Sequence, residues 1–218
     1  MRMRKKKNGP QRLEACKEFL LEKREEPISS AKDVFEREGE LWLEIGCGKG
    51  GFACGMAKKH PNACLVALER VHDVMVIAVE KAKATAEERT ADNLRFMIAR
   101  AEELSEIFSQ ASLDAIYLNF SDPWPKKGYA KRRLTYRKFL CVYFSLLKTG
   151  GKIFFKTDNK DLFEFSLGEL EALGYECDYI TYDLHSSEYA VDNVMTEYET
   201  NFSSQGIPIC ALSVTKKQ

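Results

Sequence analysis

Several short stretches of this chain gather groups that could do chemistry. "LEIGCGKGG" sets Glu44 two residues before Gly46, with Gly48, Gly50 and Gly51 close behind. "CLVALE" ends in Glu69, and "ARAEE" holds Arg100, Ala101 and Glu102. "NFSDPWPKKGYAKRRLTYRKF" places Asn119 and Asp122 in a turn locked by Pro123 and Pro125 around Trp124. Seven basic residues follow without an acid: Lys126, Lys127, Lys131, Arg132, Arg133, Arg137 and Lys138. Further on, "KTDN" carries Asp158, and "TEYE" runs through Thr196, Glu197, Tyr198 and Glu199.

Gly46, Gly48 and Gly51 satisfy the dinucleotide fingerprint G-x-G-x-x-G. Glycines of this kind let the backbone turn sharply and approach a ligand, though a tight strand-to-helix turn without a ligand reads the same way. Glu44 separates the ligands. A dinucleotide puts an anionic pyrophosphate at the helix N-terminus, which a carboxylate would repel. S-adenosylmethionine has no phosphate and carries two positive groups, a sulfonium and an ammonium, so Glu44 favours it. Gly50 completes the tighter spacing G-x-G-x-G usual for that ligand. Glu69, nineteen residues after Gly50, can accept hydrogen bonds from both ribose hydroxyls. Arg100, Ala101 and Glu102 are candidates for the adenine edge; Glu102 reads equally well, with Glu103, as a first-turn acid of a helix.

In the proline loop, two fixed φ angles restrict the backbone. Methyl transfer is an in-line displacement, and alignment alone supplies effective molarities of roughly 10⁵–10⁸ M. Trp124 offers a face for stacking a base or, alternatively, a plug beneath the loop. The basic run can track phosphates.

The elements that must position these groups alternate. Residues 1–10 read as a disordered arm, and 11–26 as a peripheral helix ended by Pro27. "LWLEI", "CLVALE", "LRFMI", "DAIYLNF" and "KIFFKT" read as five strands. Helices are expected at "FACGMAKKH", across Val71–Ala82, at "YRKFLCVYFSLL" up to Gly150-Gly151, and at "DLFEFSLGELEAL" up to Gly174. "YECDYITYD" and "PICALSV" are expected as late strands. Repeated strand–helix alternation predicts an α/β, Rossmann-like fold with a mostly parallel seven-stranded sheet and helices on both faces. Ligands in such sheets bind outside the carboxyl ends of the strands, at the switch point. Two parts are expected: a basic arm and helix over 1–35 and a catalytic domain over 36–218.

The chain has 218 residues, 33 basic and 33 acidic, so its formal net charge is zero. A neutral protein with a local cationic patch still grips a polyanion, because such contacts act over about 8–10 Å. No apolar run approaches the roughly 18 residues that span a bilayer. The basic start lacks the apolar stretch of a secretory signal. Seven cysteines without a C-x-x-C pair and three histidines without zinc spacing predict free thiols, no metal and a cytoplasmic setting.

Taken together, "LEIGCGKGGF", the 119–140 block, "GGKIFFKTDN" and "TEYE…F…QGIPI" resemble the bacterial tRNA (guanine-N(7)-)-methyltransferases, from about Leu41 to Pro208. The resemblance implies a class I S-adenosylmethionine-dependent enzyme that methylates a guanine in the variable loop of tRNA. It implies cofactor binding by Glu44, Glu69, the Arg100 position and Asp122, with Asp122 also catalytic. Lys126, Asp158 and Thr196–Glu199 would contact the substrate, and Gly128–Arg133, including Lys131 and Arg132, would lie against RNA. The family often has an acid where this chain has Arg100, which would shift an adenine contact to the backbone of Ala101 and Glu102. The chemistry agrees: guanine N-7 has a lone pair and no proton to lose, so no strong base is needed. Carboxylates near the base favour the positive charge that develops. In an A-form helix N-7 lies in a deep, narrow groove, so the target must be single-stranded or flipped out.

Two structural roles stand beside these: Asp158 or Asn159 as a helix N-cap, and Thr196 with Glu199 as a capping box. An exocyclic-amine methyltransferase, a non-catalytic RNA-binding protein with a degenerate cofactor site, and a nicotinamide oxidoreductase are the competing functions. The protein is expected to be a monomer or homodimer with no membrane partner.

Overall fold

The computed structural model describes residues 6–86 and 92–217. Seven strands form one sheet there: β1 (Leu41–Ile45), β2 (Cys64–Glu69), β3 (Leu94–Ile98), β4 (Leu113–Asn119), β5 (Leu147–Thr157), β6 (Tyr179–Thr181) and β7 (Cys210–Thr215). Their order is β3-β2-β1-β4-β5-β7-β6. β1 to β5 run parallel, and β7 runs antiparallel to both β5 and β6. The chain reverses its direction of travel across the sheet between β1 and β4, and this opens the crevice at their carboxyl ends.

Both faces of the sheet are covered, which is why its strands are nearly all apolar. Alternate residues serve opposite cores. Leu41, Leu43 and Ile45 join one with Val66, Leu68, Ile116 and Leu118, packed by α6 (Arg137–Leu146) and α7 (Lys160–Ala172). Leu65, Ala67, Ala115 and Tyr117 face the other, with α3 (Gly51–Lys59) and α4 (His72–Ala86). The same alternation puts Glu44 on the α3 face, among apolar neighbours.

Two boundaries differ from the sequence reading. The helix expected over 11–26 is not continuous. A short α1 (Gly9–Glu14) is followed by a 3₁₀ turn at Lys17–Phe19, and then an extended run bridges Leu20 to Phe96 and Ile28 to Phe108. Phe19 and Ile28 are buried 98–99% by this route, and apolar anchoring across strand edges outweighs the local helical pattern. The first ten residues also include α1, which begins at Gly9; residues 1–5 of the expected arm lie outside the described residues. At the other boundary, α6 ends at Leu146 rather than at Gly150-Gly151, and β5 begins at once. The amides of Ala111 and Ser112 donate to the carbonyls of Ser145 and Leu146, so the connection into β4 satisfies the helix end. α7 closes near the expected Gly174, whose φ of +77° suits glycine. In chain order α2 (Lys32–Phe35) precedes β1, α5 (Leu104–Ile107) lies between β3 and β4, and α8 (Glu197–Ser203) follows a long segment after β6.

Candidate methyl-donor and RNA site

The glycine loop leaves β1 with Gly46 at φ +81°, Gly48 at +56° and Gly50 at +76°, all left-handed. Three such residues in five make a tight reversal that other residues resist. Gly50 also has no room: a Cβ there would meet Ala78 at 3.0–3.1 Å. Beneath the loop, Glu44 is 1% exposed. Asn119 Nδ2, from the end of β4, donates to its Oε1 at 2.9 Å, while its Oε2 is buried with no hydrogen-bond partner. Burial pushes the Glu44 carboxyl up to about 7; Asn119 and the Lys156 ammonium oppose this, and Glu197 and Glu69 add to it. An orphaned carboxylate oxygen at a switch-point crevice fits a cationic ligand group. Cys47, inside the loop, is inert by comparison, since burial drives its thiol far above its ordinary range.

Glu69 ends β2 half-buried. Its Oε2 accepts from the Gly48 amide at 3.2 Å and its Oε1 from the Val71 amide at 2.9 Å. It therefore ties the glycine loop to the start of α4. Arg100 and Glu102 are exposed and Ala101 half-buried, at the carboxyl end of β3, and the Arg100 amide donates to Glu103. Glu103, rather than Glu102, serves as the capping acid there.

The β4 loop keeps Asp122 at the rim with its side chain 66% exposed, 3.4 Å from Arg70. Ser121 Oγ, next to it, is buried and unpartnered. Phe120 and Trp124 both have left-handed φ, +51° and +42°. Such angles are uncommon for aromatic residues and place Asp122 between two fixed kinks. Trp124 is partly covered. Arg132 lies 5.0 Å above its ring and Tyr129 meets it edge-on at 5.9 Å. Part of the ring is thus packed by the basic run itself.

The basic run divides by tertiary contact. Arg133 donates to the carbonyls of Pro123 and Trp124 and stacks over Phe165, so it clamps the proline loop. Arg137 pairs with the buried carboxylate of Glu169, which also accepts from its amide and caps α6. Lys126, Lys127, Lys131, Arg132 and Lys138 stay exposed.

Asp158 lies at the same rim, half-buried; the N-cap of α7 is Asn159, which accepts from Leu162, so Asp158 has no capping duty. Thr196 and Glu199 form a capping box at the start of α8. Glu199 is fully buried, and its carboxylate meets Lys156, His185 and Asn193. Glu197 pairs with Lys81 and lies over Gly51 at the start of α3. Tyr198 is 60% exposed and stacks on Phe120. The sequence reading missed Arg70, Lys81, Lys156, His185 and Asn193. Only Lys156 left a signal, as the one charge near the end of an otherwise apolar strand.

Known proteins resemble this chain in sequence and in fold. A family model described as "Putative methyltransferase" (Methyltransf_4) matches residues 38–212. The tRNA (guanine-N(7)-)-methyltransferase of Lachnoclostridium phytofermentans is 41% identical over 92% of each chain. That of Brevibacillus brevis is 45% identical over 80% of each, and that of Pediococcus pentosaceus 41% over 97% of this chain and 98% of its own. Among solved structures, the 16S rRNA methyltransferase KamB superposes with a TM-score of 0.62 at 15% identity, covering 86% of this chain and 92% of its own. An antibiotic-related methyltransferase superposes at 0.60 with 18% identity, covering 84% and 90%. These two share the fold. With a class I methyltransferase sheet, an acidic crevice at its switch point and such relatives along nearly its whole length, this chain belongs to the tRNA (guanine-N(7)-)-methyltransferase family.

Proposed function

We propose that this chain methylates N-7 of a guanine in the variable loop of tRNA, using S-adenosylmethionine. The observation that carries the reading is the Glu44 carboxylate, buried with one oxygen unpartnered at the crevice between β1 and β4. When bound, the cofactor supplies an electrophilic methyl group on a positively charged sulfur. Glu44 would hold its ammonium, and Glu69 its ribose, once the amides of Gly48 and Val71 share that carboxylate. Arg100, Ala101 and Glu102 line the adenine end, with backbone groups the better candidates because the Arg100 and Glu102 side chains are exposed.

Asn119 orients Glu44 by a hydrogen bond. Asp122 follows β4 at the sheet's carboxyl edge, where it would accept from the guanine ring N–H and amine and offset the charge that forms at the purine. Arg70 holds that carboxylate until substrate arrives. Lys126, Lys131 and Arg132 supply the cationic shelf, and Arg133 keeps the loop in shape. Asp158 and Tyr198 remain open to the base, whereas Thr196 and Glu199 act by fixing the start of α8. The free thiols agree with a reducing, cytoplasmic setting. No helix among the described residues is long and apolar enough to cross a membrane.

The test is incubation with labelled cofactor and bulk tRNA, followed by mapping of the modified nucleotide. A fixed positive charge at N-7 in the variable loop supports the reading. Label on an exocyclic amine, or no label despite tRNA binding, overturns it in favour of one of the competing functions.

A further inference from the structure

We propose that Lys156 is a positioning residue that locks the segment Asn193–Glu199 onto the carboxyl end of β5, fixing the substrate-facing residues relative to the cofactor crevice. The proposal rests on the methyl-transfer reading above. Lys156 is 6% exposed. Its Nζ donates to Asn193 Oδ1 at 2.8 Å, to the Val194 carbonyl at 2.7 Å and to Glu199 Oε2 at 2.6 Å. An ammonium has three donors, and all three go to one segment with no strand pairing to hold it. Glu199 in turn closes the capping box that starts α8, and Asn193 Nδ2 donates to its other oxygen. One cation therefore sets both where the segment lies and where the helix begins.

The same residue reaches the cofactor side. Lys156 pairs with Asn119 across β4 and β5, and Asn119 donates to Glu44. Its ammonium also sits 5.0 Å from the Phe52 ring on α3. The far side of the segment fits α3 closely: a Cβ on Gly55 would come within 2.6 Å of Val194, and one on Gly51 within 2.5 Å of Glu197. From this clamped base Met195 and Tyr198 project with 42% and 60% exposure, and Tyr198 stacks on Phe120. A buried ion pair is a weak source of stability compared with apolar packing, but it specifies register. That is what an enzyme bringing a base to a donor requires.

Lys156→Met alone leaves Glu199 buried without its ammonium partner, held only by His185, Asn193 and the Thr196 amide, so the melting temperature falls. Adding Glu199→Gln removes the stranded charge and restores most of it. In this double variant, KM for tRNA at saturating cofactor should rise about tenfold, while kcat and the cofactor Kd stay within about threefold. Asn193→Ala keeps the Lys156–Glu199 pair and touches no substrate in any reading; it should raise the same KM by about threefold with the fold intact. A purely structural role would restore KM together with the melting temperature. Wild-type KM in both variants overturns the proposal, as does a cofactor Kd that rises in step with KM. Failure of the wild-type protein to methylate tRNA would instead overturn the functional reading on which it rests.

Discussion

Glu44 is a carboxylate placed where its charge is least comfortable. Its carboxyl has an ordinary pKa near 4.5 and stands at about 7 in the folded protein. The folded state therefore keeps a proton that the unfolded chain releases between those values. The stability due to the protonated form is full below about 4.5 and is lost as pH rises through about 7, on the order of 3 kcal/mol. Glu44→Gln should thus raise the melting temperature of the ligand-free protein at pH 8 and have little effect at pH 5. In the same variant, cofactor affinity should fall about 10–100-fold by calorimetry. In the wild-type protein that affinity should weaken as pH falls below about 7, following protonation of Glu44. A flat wild-type profile would mean that the cation is held elsewhere. Asp122 is the opposite case, exposed and loosely paired, so its removal leaves the fold alone. Asp122→Ala should lower kcat by roughly 10²-fold, as loss of a charge-stabilising group does, with tRNA Kd changed by less than about threefold. The reverse, intact turnover with lost affinity, would exchange the roles assigned to the two halves of the loop.

The elements hold these side chains through backbone geometry. Gly50 combines a φ of +76° with Ala78 at 3.0 Å from where a Cβ would stand, and Ala78 belongs to the buried face of α4. Gly50→Ala should cost about 2 kcal/mol, or roughly 4–8 °C in melting temperature, because neither the backbone nor the helix can yield. Gly48→Ala meets nothing within 4 Å and carries strain alone, so its loss should be smaller. Thermal scans of the two variants check the difference. The loop after β4 shows how one element can hold opposite uses of charge. Arg133 braces it from below by two carbonyls, while Arg132 lies on Trp124 at its surface.

At the scale of the whole molecule, zero net charge hides a local run of exposed cations, Lys126, Lys127, Lys131, Arg132 and Lys138, after the β4 loop. Replacing Lys131 and Arg132 together with alanine should weaken tRNA binding and flatten its log–log salt dependence by about one to two units, with cofactor affinity unchanged. Filter binding from low to high salt reads both. An unchanged slope would place the RNA on another face. Cofactor at a hundredfold excess over its Kd should stabilise the fold by about 2.7 kcal/mol, seen as a rise in melting temperature.

Pattern in the chain settled much of this. Strand–helix alternation determined the sheet, since period and turn chemistry act locally. Glu44, Glu69 and Asp122 stood out because each ends or follows a strand whose direction places it at the rim. The tertiary structure decided which of the charges are available. Arg133 and Glu199, read from the sequence as ligands of RNA and base, also brace the loop and the α8 start, and Arg137 binds Glu169 from α7. Lys156 gathers acceptors from residues 193–199, far along the chain. Local periodicity carries no record of such pairings, because burial and partner choice depend on which distant segments pack together.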